Sequence, residues 1–142
     1  MRSVVLVGVS LGLLGLAGCR TCTLLYVPSS LVVVVEAVDP EPGRYAVEVS
    51  AIPFGGAAVA MCVVDLPSPE PRAVCTQSAG MTVGGGGFTL QTLGLVPEEL
   101  TVTISRDGEV LNEQDFEPSY STSHPNGEGC GTTRRGTVSL TL

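Results

Sequence analysis

Four consecutive valines, Val32 to Val35, lie inside an apolar run from Leu31 to Val38. β-Branched side chains are stiff at χ1 and pack well on a pleated surface. A run apolar on both faces therefore predicts a strand buried on both sides, inside a sheet system. Such a strand needs hydrogen-bonded partners, and much of the remaining chain reads as strand. Arg44 to Ile52 places Tyr45, Val47, Val49 and Ala51 on one face, with Ala46, Glu48 and Ser50 on the other. That period of two predicts a half-exposed antiparallel strand paired with the valine run. Between them, Asp39-Pro40-Glu41-Pro42-Gly43 is a turn by composition, because proline fixes φ and glycine permits positive φ.

The pattern continues through Ala57 to Leu66 and a shorter segment, Arg72 to Gln77. From Ser78 to Gly87 the chain becomes glycine-rich and ends in Gly84-Gly85-Gly86-Gly87, which predicts a mobile loop, since ordering glycine costs the most backbone entropy. Phe88 to Leu93 alternates, as does Leu100 to Arg106 with Leu100, Val102 and Ile104 directed inward. Asp107-Gly108 is a strong hairpin signal and leads into a strand over Glu109 to Phe116. Glu117 to Arg135 is polar and rich in Ser, Pro and Gly, so it is expected to be the longest loop. Gly136 to Leu142 closes the chain with Val138, Leu140 and Leu142 alternating against polar residues. No window beyond the N-terminus has a helical period. The fold class is all-β: a single antiparallel β-sandwich of about seven or eight short strands.

The N-terminus has a different character. Arg2 precedes an apolar stretch of 13 residues, Val4 to Leu16, broken only by small residues. A membrane-spanning helix needs about 20 apolar residues. A cleaved signal peptide has an apolar region of about 7 to 15 residues ahead of a small-residue cut site. The stretch ends in Leu16-Ala17-Gly18-Cys19, which resembles the lipobox of bacterial lipoproteins at all four positions. The resemblance implies a helical signal peptide over 1–18, cleavage before Cys19, and diacylglycerol on the Cys19 thiol with further acylation such as palmitate. The expected organisation is then a signal peptide over 1–18, a lipidated tether over 19–30 and a β-sandwich over 31–142. Membrane attachment would run through the N-terminal lipid, since two or three acyl chains hold where one holds only marginally. Arg20 is not the aspartate that this family associates with inner-membrane retention, which favours the outer membrane or cell surface within the cell envelope.

Removal of residues 1–18 would leave 124 of the 142, enough for one domain. It would also leave 14 acidic against 6 basic side chains, a formal charge of −8, with no lysine in the chain. Such a surface repels phosphate backbones, so no nucleic acid partner is expected. With Cys19 alkylated, Cys22, Cys62, Cys75 and Cys130 remain. An even number in an exported chain predicts two disulfides, of which three pairings are formally open. Spacing favours Cys62 with Cys75, which flank the stiff Pro67, Pro69, Pro71 connection. That leaves Cys22 with Cys130, joining the start of the domain to the base of its last strand.

Little in the chain points to catalysis. Cys19-Arg20-Thr21-Cys22 has C-x-x-C spacing, but it opens no helix beside a βαβ unit, and alkylation would remove one thiolate. His124 is the only histidine, and nearby Glu117 and Glu128 have no metal-ligand rhythm. The stretch Ser119 to His124 lacks a G-x-S-x-G turn and is expected to be an exposed polar loop. The glycines at 84–87 lack the lysine and hydroxyl of a phosphate loop. Glu98-Glu99 reads as solvated charge after Pro97. Tyr45, Phe54 and Tyr120 are candidates for a binding face, although single surface aromatics are ordinary.

The early valine strand, the Leu-Thr-Val-Thr-Ile run within Val96 to Ser105, and the ending from Cys130-Gly131 to Val138-Ser139-Leu140-Thr141-Leu142 together resemble the prealbumin-like sandwiches of carboxypeptidase regulatory-like domains. That resemblance implies a prealbumin-like sandwich; with no catalytic or metal-binding constellation among its residues, the module is expected to be non-enzymatic and without cofactor or metal. The expected function is a membrane-anchored cell-envelope lipoprotein whose sandwich binds an envelope protein or glycan, or serves structurally. The alternative is a small envelope hydrolase or redox accessory protein.

Overall fold

The structure is a computed structural model that describes residues 22, 25–52, 55, 58–76 and 78–142. The expected signal peptide, Cys19 and Phe54 lie outside the described residues. Ten strands follow in order: β1 (Ser30–Glu36), β2 (Gly43–Ala51), β3 (Ala58–Leu66), β4 (Val74–Cys75), β5 (Ala79–Gly84), β6 (Gly87–Leu93), β7 (Leu100–Arg106), β8 (Glu109–Phe116), β9 (Tyr120–Ser123) and β10 (Thr133–Thr141). They form two five-stranded sheets, one ordered β5-β6-β1-β10-β9 and the other β4-β3-β2-β7-β8. Packed face to face, the sheets make an all-β sandwich.

The valine strand β1 is the centre of its sheet, antiparallel to β6 and parallel to β10. Leu31, Val33 and Val35 are fully buried between the sheets, whereas Val32 and Val34 are half-buried on the outer face. The run is therefore not buried on both sides. Among the described residues no third layer covers its outer row. The parallel pair departs from a purely antiparallel sandwich for a topological reason. β9 runs antiparallel to β10, and loop 124–132 brings the chain back so that β10 leaves from the same end of the sheet as β1.

The alternating strand β2 does not pair with β1. It lies in the opposite sheet between β3 and β7. Residues 37–42, with Pro40 and Pro42, carry the chain across the sandwich rather than through a hairpin. This arrangement lets the core rows of β1 and β2 enter one buried cluster from opposite sheets, a gain that side-by-side pairing cannot supply. The ring of Tyr45 meets that of Phe88 across the core at 5.2 Å, tilted by 42°. Leu90, Leu100, Val102, Ile104, Val138 and Leu140 belong to the same cluster, as do Val47, Val49, Cys62 and Val64.

Two further strands arise where loops are expected. The glycine stretch closes a tight hairpin between β5 and β6, with Gly84 opposite Gly87 and only Gly85-Gly86 in the turn. At Gly87 φ is +127°, and a Cβ there would fall 1.9 Å from the carbonyl oxygen of Val35. The glycine is needed because the backbones touch. In the polar stretch after Phe116, Tyr120–Ser123 pairs with the start of β10 as strand β9, leaving 124–132 as the loop. The Asp107-Gly108 turn has φ of 52° and 87°, as a two-residue hairpin with both central residues at positive φ requires. Leu142 stands outside the core, half exposed past the end of β10.

Candidate functional site

The end of the sandwich where β1 and β10 begin is built by the segment that leads into the fold. Pro28 closes this segment to regular pairing before β1, because it has no N–H to donate. Its carbonyls and one hydroxyl are instead taken up by side chains and loops. The Asn126 side-chain amide donates to the Leu25 carbonyl at 2.9 Å, and the Thr133 hydroxyl donates to the Val27 carbonyl at 3.0 Å. The Arg134 N–H donates to the Ser29 hydroxyl at 3.0 Å, and the Gly94 N–H to the Ser29 carbonyl at 2.7 Å. Cys22 is bonded to Cys130, with Cα atoms 5.5 Å apart. The described part of the 19–30 segment is thus a strap laid over the domain, not a free tether. Asn126 and Thr133 make it so, and neither stood out in the sequence, because a hydroxyl or amide in a polar stretch has no distinctive spacing.

The second disulfide joins Cys62 on β3 to Cys75 on β4, directly opposite each other in the ladder, with Cα atoms 4.1 Å apart. Adjacent antiparallel strands bring facing residues to this separation. It ties the two-residue edge strand β4 to a core position. This pairing and that of Cys22 with Cys130 are the two that spacing favoured.

Beside the strap, Tyr120 plugs the core between the sheets. Its ring covers Gly136, where a Cβ would come within 2.7 Å of the ring, and its hydroxyl donates to the Pro97 carbonyl at 2.7 Å. A glycine within a strand leaves a gap that an aromatic neighbour can fill. The Arg134 guanidinium stacks 4.4 Å from the Tyr120 ring centre and donates to the Glu98 carboxylate at 2.6 Å. Chiefly that hydrogen bond holds the Glu98 carboxyl below its usual range; burial opposes it, and the neighbouring positive charge of Arg134 assists it. The same bond raises Arg134, and burial raises the Tyr120 phenol. Glu98 is therefore a paired group rather than simply solvated charge, and the pairing is invisible in sequence because the partners lie 36 residues apart.

The outer face of the β5-β6-β1-β10-β9 sheet carries a shallow open groove of about 760 Å³. Val32 and Leu93 form its apolar floor, and Gln91, Ser121, Arg135 and Thr137 supply hydrogen-bonding groups along it. It can receive an extended polar molecule, with one guanidinium available to an acceptor. The opposite outer face is a ladder of carboxylates and hydroxyls. Thr101 donates to Asp115, Thr103 to Glu113 and Ser50 to Glu48.

The other sequence candidates fall apart from one another. Tyr45 is core, only 2% exposed, and its hydroxyl donates to the Glu41 carbonyl. It offers no binding face. His124 is exposed in the loop after β9, where its carbonyl accepts from the Gly127 N–H. Among the described residues no three His, Cys, Asp or Glu side chains are grouped to hold a metal ion. Compared with protein-family models, curated proteins and solved structures, the chain gives no significant match.

Proposed function

We propose that the protein is a lipid-anchored cell-envelope module. Cys19 carries the lipid, and the sandwich acts as a non-catalytic binding or structural domain at the membrane surface. The observation that supports this best is the cysteine pairing. Four of the five cysteines are consumed in two bonds, and the one left over is the cysteine of Leu16-Ala17-Gly18-Cys19. Disulfides persist in oxidising compartments, which agrees with export. The likeness to carboxypeptidase regulatory-like sandwiches belongs to the same proposal, and a two-sheet all-β architecture is compatible with it. The groove over Val32 and Leu93 is the surface proposed to meet an envelope protein or glycan, and an outer-membrane or surface position is favoured by Arg20.

Replacing Cys19 by alanine tests the anchor. The unaltered protein should incorporate labelled palmitate and enter the detergent phase on phase separation, whereas Cys19→Ala should take up no palmitate and, once freed of residues 1–18, should stay in the aqueous phase. A cleaved Cys19→Ala chain that still partitions into detergent would overturn the proposal.

A further inference from the structure

We infer that the strap end of the sandwich rests against the bilayer surface, with Leu25 and Tyr26 seated in the lipid interface and the opposite end held outward. The inference rests on lipidation at Cys19 and specifies what that lipid does to the domain.

The first argument is reach. Cys22 follows Cys19 by three residues, and an extended chain spans at most about 3.3–3.6 Å per residue, so Cys22 stays within about 11 Å of the lipidated residue. Since Cys22 is bonded to Cys130, the limit applies to the folded domain itself and not to a flexible stalk. The bulk of the protein cannot drift from the headgroups.

The second argument is the character of the surface so placed. Leu25 is 62% exposed and Tyr26 85% exposed. Their exposure is not that of a loose tail, because the Leu25 carbonyl is held by Asn126 and the Val27 carbonyl by Thr133. An apolar residue and a tyrosine are thus fixed outward next to the anchor. Tyrosine prefers the membrane-water boundary, where its ring is sheltered and its hydroxyl stays wet. With no lysine and a net negative chain, attraction to anionic lipid does not supply the contact. A zwitterionic interface receiving apolar side chains does.

At the other end of the sheet, β1 finishes and the 37–42 connection begins, with Val38 88% exposed. The two ends can be told apart directly, because the chain contains no tryptophan. Lipidated full-length protein carrying Tyr26→Trp is reconstituted in phosphatidylcholine vesicles, with Val38→Trp prepared in parallel. Acyl-brominated phosphatidylcholine quenches an indole that touches the lipid. The indole at position 26 should shift to the blue on reconstitution and lose most of its emission to brominated lipid. The indole at position 38 should keep both the emission wavelength and the intensity it has in buffer. Adding Leu25→Glu to Tyr26→Trp should reduce the quenching while the protein still floats with the vesicles.

Equal quenching at both positions, or none at position 26 in protein that floats, would overturn the inference and leave the lipid anchor standing. Protein that does not float with vesicles would overturn the anchor, and this inference with it.

Discussion

Alanine in place of Gly87 should be far more damaging than alanine at Gly84, Gly85 or Gly86, although the four are indistinguishable in sequence. At Gly87 a Cβ would sit 1.9 Å from the Val35 oxygen, 2.8 Å from the Ala37 nitrogen and 3.0 Å from the Val35 carbonyl carbon. All three atoms are backbone, and Val35 belongs to the central strand, so no flexible side chain can yield. Relief requires separating β6 from β1 at the Glu36–Gly87 pair and disturbing the 3.0 Å bond from the Ala37 N–H to the Gly86 carbonyl. Forcing an L-residue into φ of +127° costs about 1–3 kcal/mol, and an unsatisfied buried backbone group costs about 1–3 kcal/mol more. The expected loss is therefore roughly 2–6 kcal/mol, large beside the about 5–15 kcal/mol by which domains are stable. At Gly84 nothing lies within 4 Å and φ is not in the left-handed region. Alanine there should be neutral or stabilise by about 0.4–1 kcal/mol through the unfolded chain. Urea titration of the four single variants, followed by far-ultraviolet circular dichroism with unchanged m-values, measures the difference. A Gly87→Ala midpoint equal to that of Gly84→Ala would refute the steric argument.

Removing the long-range staple by Cys22→Ser with Cys130→Ser should cost up to about 4.8 kcal/mol, the loop-closure entropy for a span of 108 residues. Chemical denaturation reads it, and a loss below that of Cys75→Ser with Cys62→Ser, whose span of 13 is worth about 2.9 kcal/mol in loop closure, would count against loop closure as the dominant effect. Glu98 has its folded-state pKa depressed, chiefly by the hydrogen bond from Arg134. Its stabilising contribution is thus present above the unfolded carboxylate pKa and lost as pH falls through the lower folded value. The stability difference between the unaltered protein and Glu98→Gln should then be greatest near neutrality and shrink in acid. A pH-independent difference would show that the carboxylate charge is not what matters.

Much of the local structure was legible before any strand was placed. The alternation of Tyr45, Val47 and Val49, and that of Leu100, Val102 and Ile104, marks core-facing rows that the fold buries. The Asp107-Gly108 dipeptide marks a hairpin that forms. Two loops were misread for one reason. Ser78 to Gly87 and Ser119 to Ser123 have the composition of unordered chain, yet β5 and β9 are edge strands whose order comes from pairing with β6 and β10. Edge strands need only one partner and little apolar surface, so composition underrates them. The end of the sandwich at the Cys22–Cys130 bond was half legible: the cysteines announced themselves, while Asn126, Thr133 and the Glu98–Arg134–Tyr120–Gly136 cluster did not.

By itself the sequence determined the β-rich character of the chain, its inward rows, its tight turn at Asp107-Gly108 and an even set of cysteines after Cys19. Each of these depends on dihedral preference, side-chain period or counting, and is readable within a short window. The tertiary structure alone decided that β1 pairs in parallel with β10 and faces β2 instead of lying beside it. It also decided that one glycine of four is indispensable and that residues 25–29, ahead of β1, are strapped down. Several apolar rows of similar width could have partnered β1. The choice among them rests on which arrangement buries all the rows at once and satisfies the backbone at both ends, a condition that no local window contains.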